Sequence, residues 1–341
     1  MGPTSSSDHS FQDNPDAVLT HISDLHFSSH AADTSSNPIW RKLGMAPHEF
    51  NLSINLGARI ELLRKRYTDR FFVVATGDLT TKADEDAFRL VNNYLRTKFF
   101  ITSETSFGLN CNKNLLIVPG NHDKWFDTPL FALNKAELGK EMFYYSMIPQ
   151  LPTAVYRRIG SRDFVFFLLN SNKVSARWNR LLLNSKNVTG RGQVGHYQLG
   201  LLRMYAGQAR AGSLPGMPAD FSYENSIRVA LLHHHMVALS PKNQSMLIDA
   251  VEVKACFFEI GIQLVLAGHE HYPYHSIVQN NSDEMFFSCA GSATQIGERI
   301  NSFKVYSFNG NQMRMIQYEA RIPDNKWQFE EEPASMVQWT F

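Results

Sequence analysis

The chain has 341 residues, enough for one large α/β domain or two ordinary ones, and its 43% hydrophobic content is well above that of a disordered chain. Lys plus Arg number 33 against 32 acidic residues, a formal net charge of +1, so no global charge directs the protein to nucleic acid or to an anionic membrane. The three cysteines, Cys111, Cys256 and Cys289, lie far apart with no CxxC spacing, which argues against a disulfide framework and against a thiolate zinc site.

Residues 1–16 are polar and Ser-rich and read as a loose tail, without the apolar stretch of a secretory signal. No apolar run approaches the length of a membrane span, so the expectation is a soluble cytoplasmic protein without a membrane partner. Without an export signal, the Asn-x-Ser/Thr triplets at Asn51, Asn187 and Asn280 are taken as chance.

From Val18 onward, short apolar runs alternate with helical patterns. Val18–Ile22, Phe71–Ala75, Leu115–Val118, Phe164–Leu169, Ile227–Leu232 and Ile262–Leu266 read as buried strands by length and by β-branched or aromatic content. Leu52, Leu56, Ile60 and Leu63 repeat at helical spacing before the second strand, and Phe88, Val91 and Leu95 after it. Gln244–Phe258 is a third helix candidate. The acidic run Asp84-Glu85-Asp86 suits a helix N-terminus. The rhythm is that of a layered α/β protein.

Toward the end, Met285–Ala290, Phe303–Phe308 and Met313–Glu319 read as successive strands, with Asn309-Gly310-Asn311 as a hairpin turn, which implies a second sheet or an extension of the first. The domain is set at 17–320, with insertions over the site near 27–50 and 123–160, and 321–341 as a C-terminal extension. The pairs Phe99-Phe100, Phe166-Phe167, Phe257-Phe258 and Phe286-Phe287 are assigned to the core. Trp125 and Phe126 could stack on a base, and Arg177, Trp178 and Arg180 could reach a phosphate from a surface loop.

Five of the apolar strands end in polar, metal-type residues. The first runs into Ser23-Asp24-Leu25-His26, the second into Thr76-Gly77-Asp78, and the third into Gly120-Asn121-His122-Asp123. The fifth ends at His233-His234-His235 and the sixth at Gly268-His269-Glu270-His271. In α/β sheets ligands bind outside the carboxyl ends of strands, so these segments are expected to converge. The i, i+2 spacing of Asp24 and His26, and of His269 and His271, would put each pair on one side of an extended chain. Oxygen and imidazole donors without thiolate suit Mn, Fe, Zn or Co.

The series Asp24-x-His26, Gly77-Asp78, Gly120-Asn121-His122-Asp123, His233 and Gly268-His269-x-His271 resembles the signature of the calcineurin-like metallophosphoesterase superfamily, in the branch of class III cyclic-nucleotide phosphodiesterases and related glycerophosphodiesterases. The match runs from about Val18 to Phe308, with Asn170-Ser171 and Gly195-x-x-Gln198-Leu199 as supporting features. The resemblance implies a four-layer α/β/β/α sandwich with two mixed β-sheets and a two-metal site at the strand ends. It implies that Asp24, His26 and His271 hold one metal, that Asp78 bridges to the second, and that Asn121, His233 and His269 complete the ligands of the second metal. His122 would give a proton to the leaving oxygen or stabilise its charge. The family's fourth block usually carries a proline soon after its histidine, whereas here Met236 follows the three. His233, the first to leave the strand, is taken as the ligand, with His234 next and His235 lining the site.

The implied activity is hydrolysis of a small phosphodiester, such as a cyclic nucleotide, by attack of a metal-activated hydroxide. A phosphomonoesterase is the main rival. A nuclease fits poorly with the near-neutral charge, and a protein phosphatase with Gly77-Asp78-Leu79-Thr80-Thr81-Lys82. A non-catalytic metal-binding scaffold is a reading of another class, set against the retention of every ligand. The expected partner is a small phosphate ester, and a homodimer is compatible with the sequence.

Overall fold

The alternation of β1 (Ala17–Ile22) sends Val18 and Ile22 to one face and Ala17 and Leu19 to the other, and both faces are buried. A strand covered on both sides needs a layer on each, and that requirement sets the architecture. The computed structural model of the chain describes residues 14–28, 49–81, 83, 85–103, 105–124, 147–172, 191–238, 246–295, 300–322 and 328–341.

After β1 come α1 (Phe50–Tyr67), β2 (Phe71–Thr76), α2 (Glu85–Arg96), a two-residue hairpin of β3 (Phe99–Phe100) and β4 (Ser106–Phe107), and β5 (Leu115–Val118). There follow β6 (Thr153–Ile159), β7 (Arg162–Leu168), α3 (His196–Arg210), β8 (Ile227–Leu231), α4 (Ala250–Glu259) and β9 (Leu264–Ala267). The chain ends with β10 (Tyr274–Asn280), β11 (Asp283–Cys289), β12 (Ser302–Asn309), β13 (Gln312–Arg321) and β14 (Gln328–Thr340).

Two six-stranded sheets result, in the orders β14-β13-β12-β1-β2-β5 and β10-β11-β9-β8-β7-β6. Each is mixed. β1, β2 and β5 are parallel with antiparallel β12, β13 and β14 beside them, and β7, β8, β9 and β11 are parallel between antiparallel β6 and β10.

Three cores separate four layers. Leu52, Leu56 and Ile60 of α1 and Phe88 and Val91 of α2 pack on the outer face of the first sheet. Leu19, Phe72, Val74, Phe166, Val229, Leu266 and Tyr306 fill the space between the sheets. Leu199 and Leu202 of α3 and Val253 and Phe257 of α4 cover the second sheet. This is the α/β/β/α sandwich expected from the sequence, with 302–321 joining the first sheet and 283–289 the second.

Several readings change. The helix expected over Gln244–Phe258 begins at Ala250, because Asp249 turns its carboxylate to the backbone N–H groups of Val194 and Gly195. The stretch 123–160 ends in β6, paired with β7. Phe99 and Phe100 are 49% and 73% exposed on β3 instead of buried, while Phe166, Phe167, Phe257, Phe286 and Phe287 are core and Phe258 is partly buried. Trp125, Phe126, Arg177, Trp178 and Arg180 lie outside the described residues. Among the described residues, no helix is long and apolar enough to cross a membrane.

Candidate metal centre

The loops leaving β1 and β2 stay laced together beyond the strands. Asp24 N–H donates to Gly77 O (3.0 Å), His26 N–H to Asp78 O (3.0 Å) and Phe27 N–H to Leu79 O (2.9 Å). Asp24, His26 and Asp78 have φ of 53°, 52° and 48°, and His269 and His271 have 79° and 53°. A non-glycine residue in this left-handed region costs about 1–2 kcal/mol. Asp24 and His26 therefore do not meet as alternate residues of an extended chain, as the spacing suggested. The bends themselves turn the side chains inward, and such strain collects at functional sites.

The second sheet supplies the opposite wall. His269 N–H donates to Asp24 Oδ2 (3.1 Å), Ser292 Oγ to Asp24 O (2.7 Å) and Thr294 Oγ1 to Leu25 O (2.7 Å). Gly77 (φ +89°) and Gly268 make the close approach possible. A Cβ on Gly77 would fall 2.7 Å from His233 Nδ1, and one on Gly268 would fall 2.7 Å from Asp24 Oδ2.

Two groups of donor atoms form here. Asp24, His26, Asp78 and His271 offer atoms within 4.8 Å of one another, as do Asp78, His233 and His269, and Asp78 belongs to both. Asn121 joins the second group, its Oδ1 lying 3.0 Å from His233 Nε2. All seven residues predicted as ligands are thus brought together. Of the three consecutive histidines, His233 enters the group, with Nε2 3.3 Å from Asp78 Oδ2. His234 turns away to Ser171 Oγ (2.9 Å from Nδ1), and His235 Nδ1 lies 3.6 Å from Glu270 Oε1.

The donor set fits metal ions. Asp24 Oδ1 is fully buried, lies 3.2 Å from His271 Nε2, and makes no hydrogen bond. Two imidazole nitrogens, His26 Nε2 and His271 Nε2, face each other at 3.1 Å, which calls for a shared cation or proton between them. Burial opposes the Asp78 charge, yet His233 and His122 hold its carboxyl well below the usual range. Burial likewise opposes the Asp24 charge, but His271 beside it brings the carboxyl down to about 2. Burial would lower His233, but the Asp78 charge overrides it and lifts the ring to about 9. The centre thus draws positive charge inward. Burial, reinforced by the His233 charge, pushes His269 down to about 3, and burial holds His26 well below its ordinary value.

His122 lies beside the shared carboxylate. Its N–H donates to Asp78 Oδ1 (2.8 Å), its Nδ1 lies 3.1 Å from Thr81 O, and its Nε2 lies 4.0 Å from Asp78 Oδ2. Burial lowers its pKa against the pull of Asp78.

Five further residues, given no individual role by the sequence, position the donors. Asp123 accepts from Gly120 N–H and Thr80 N–H, both at 2.9 Å, so it ties the Asn121-His122 loop to the loop after Asp78. Burial and the Asp78 charge lift its carboxyl to about 7. Ser171 Oγ accepts from His233 N–H (3.3 Å) and His234 N–H (3.0 Å). Asn170, beside it, is clamped by Gln198, whose Nε2 donates to Asn170 O (2.8 Å). Thr76 O takes His233 Nδ1–H at 2.7 Å, which leaves Nε2 to face the centre. Asp123, Asn170-Ser171 and Gln198 stood inside quoted motifs, but each has a partner tens of residues away.

No curated protein matches the chain. Among solved structures, a dimetal phosphatase from Danio rerio superposes with a TM-score of 0.57 at 11% identity, covering 96% of this chain and 99% of that one. Vps29 from Chaetomium thermophilum gives 0.36 at 14% identity, covering 95% of each chain. At these identities the likeness is one of fold. The model of the family described as calcineurin-like phosphoesterase matches residues 17–273, a span that holds all seven donors, and the chain belongs to that family.

Proposed function

We propose that the protein is a dimetal phosphodiesterase that hydrolyses a small phosphodiester, with a cyclic nucleotide or glycerophosphodiester as the substrate type. The observation that carries this reading is the pair of donor groups joined through Asp78. Five of the seven donors (Asn121 and four histidines) are neutral ligands, so two divalent ions would leave the centre with a charge of about +2, favourable to an anionic phosphoryl group. When bound, the ions supply Lewis-acid stabilisation of an in-line displacement at phosphorus. Mn, Fe, Zn and Co suit the donors.

The chain's own residues handle position and protons. Asp78 draws both groups to one point, and Asp123 holds the Asn121-His122 loop against it. His122 donates its Nδ1–H to Thr81 O, which turns Nε2 toward the shared carboxylate. Burial keeps this ring neutral, so Nε2 can take the proton lost by the attacking water and pass it to the leaving alkoxide, a role for which pairing with Asp78 stabilises the charged form.

The test compares bis-p-nitrophenyl phosphate with p-nitrophenyl phosphate on protein loaded with Mn, Fe or Zn, followed by cyclic nucleotides and glycerophosphodiesters. Faster turnover of the diester is expected. A faster monoester would make the enzyme a phosphomonoesterase, and no turnover of either would refute a hydrolase.

A further inference from the structure

Lys304 stands on β12 opposite His21 of β1, and its side chain is fully buried between the two sheets. Nζ donates to Tyr274 O at 2.7 Å and to Ser288 Oγ at 2.9 Å, and no carboxylate pairs with it among the described residues. Burying an ammonium without a counter-charge is costly, and a methionine would fill similar space without that cost. Burial pushes the amine down to about 7. Charged or neutral, the nitrogen keeps the two N–H groups that these two bonds use.

The polarity of a hydrogen-bond chain follows from that donor. Ser288 Oγ, already accepting from Lys304, also accepts the Tyr306 hydroxyl proton at 2.9 Å. With that proton committed, Tyr306 Oη is free to accept from His21 Nδ1–H at 3.5 Å. Burial holds His21 at about 3, so the ring is neutral, and a proton on Nδ1 leaves a lone pair on Nε2. That lone pair accepts the Thr76 hydroxyl at 2.8 Å. The carbonyl of the same Thr76 takes His233 Nδ1–H and the Ser23 hydroxyl (3.2 Å). Gly77 follows with φ +89°, and at this end of β2 the Thr76 side chain joins the pairing with β5 and the Ser23 hydroxyl in holding the Thr76 carbonyl in place.

We infer that Lys304 is a positioning residue of the metal centre, which acts through Ser288, Tyr306, His21 and Thr76 to fix the carbonyl that orients His233. The inference rests on the metal-centre reading of the donor groups. It assigns a function to a buried polar seam that touches neither substrate nor ion.

The experiment uses the full chain with Lys304→Met, and with Tyr306→Phe and Thr76→Val, which break later links with little change of volume should the first variant fail to fold. Three quantities are measured: Mn affinity by calorimetry, the ring ¹⁵N spectrum of His21 in metal-free protein, and the thermal midpoint of metal-free protein. In Lys304→Met, Mn is expected to bind about ten-fold more weakly, as for loss of an outer partner of a ligand histidine. His21 is expected to lose its single Nδ1–H form while the thermal midpoint does not fall. Weaker binding without loss of stability separates positioning from mere structural support. Unchanged Mn affinity in the folded variants overturns the inference. If wild-type protein binds no Mn, the metal reading itself has failed, and the His21 tautomer still decides the relay: loss in the variants supports it and retention overturns it.

Discussion

The Asp78 carboxylate lies 3.3 Å from His233 Nε2, and the two residues reach that point from different sheets. Asp78 follows β2 of the first sheet and His233 follows β8 of the second. The centre therefore sits on the seam of the sandwich.

Asp78→Ala removes the only donor common to both groups. Metal analysis is expected to find less than one ion per chain, with activity at background. Two ions retained would contradict the bridging role.

His122→Ala leaves every donor in place. Metal content is expected to be unchanged while turnover falls by about 10²–10⁴-fold, most for substrates with poor leaving groups. Equal rates for wild type and variant would remove His122 from proton transfer.

The three consecutive histidines make an internal control. His233→Ala is expected to lower the metal content by about one ion per chain, because it belongs to one donor group. His235→Ala is expected to keep both, since it faces Glu270. The reverse pattern would reassign the ligand.

Gly77→Ala places a Cβ 2.7 Å from His233 Nδ1 on a backbone with φ +89°. A loss of stability of about 1–3 kcal/mol is expected, with reduced metal content. A variant that melts and binds metal like wild type would show that the loop relaxes freely.

Stability should also depend on pH through Lys304. Its ordinary pKa is 10.5 and the folded value is about 7, so between those limits the unfolded chain holds the proton more often than the native one. Native stability from this group therefore rises with pH across that window and is lowest below about pH 7. The gain of Lys304→Met over wild type is expected to be a few kcal/mol at pH 6 and to shrink toward pH 10. Denaturant melts at both values measure it, and a pH-independent difference would mean the amine titrates normally.

What could be read in the sequence followed from burial. Strands β1, β2, β5, β8 and β9 are covered on both faces, so they appear as short, mainly apolar runs, and the polar residues that follow them stand out. Strands β10 and β14 are sheet edges, with Ser276, Gln279 and Asn280 in one and Glu330, Glu331, Glu332 and Pro333 in the other. A half-solvated edge tolerates polar residues and proline, and so looks like loop or tail. The donor types were legible for the same reason as the buried strands. The choice among the three histidines was not, because Ser171, from 63 residues away, captures His234. Nor did any local pattern announce Lys304, whose hydrogen-bond partners Tyr274 and Ser288 come from two other strands.

The left-handed backbone at Asp24, His26, Asp78, His269 and His271 sets activity against robustness. Glycine or asparagine tolerates such dihedral angles far better than a bulky or branched side chain. Replacing one of these residues by glycine would relax the loop while abolishing its donor atom, so a variant without the donor can be sturdier than the metal-free chain itself. The same scaffold can thus drift from chemistry toward a purely architectural use without first losing its shape.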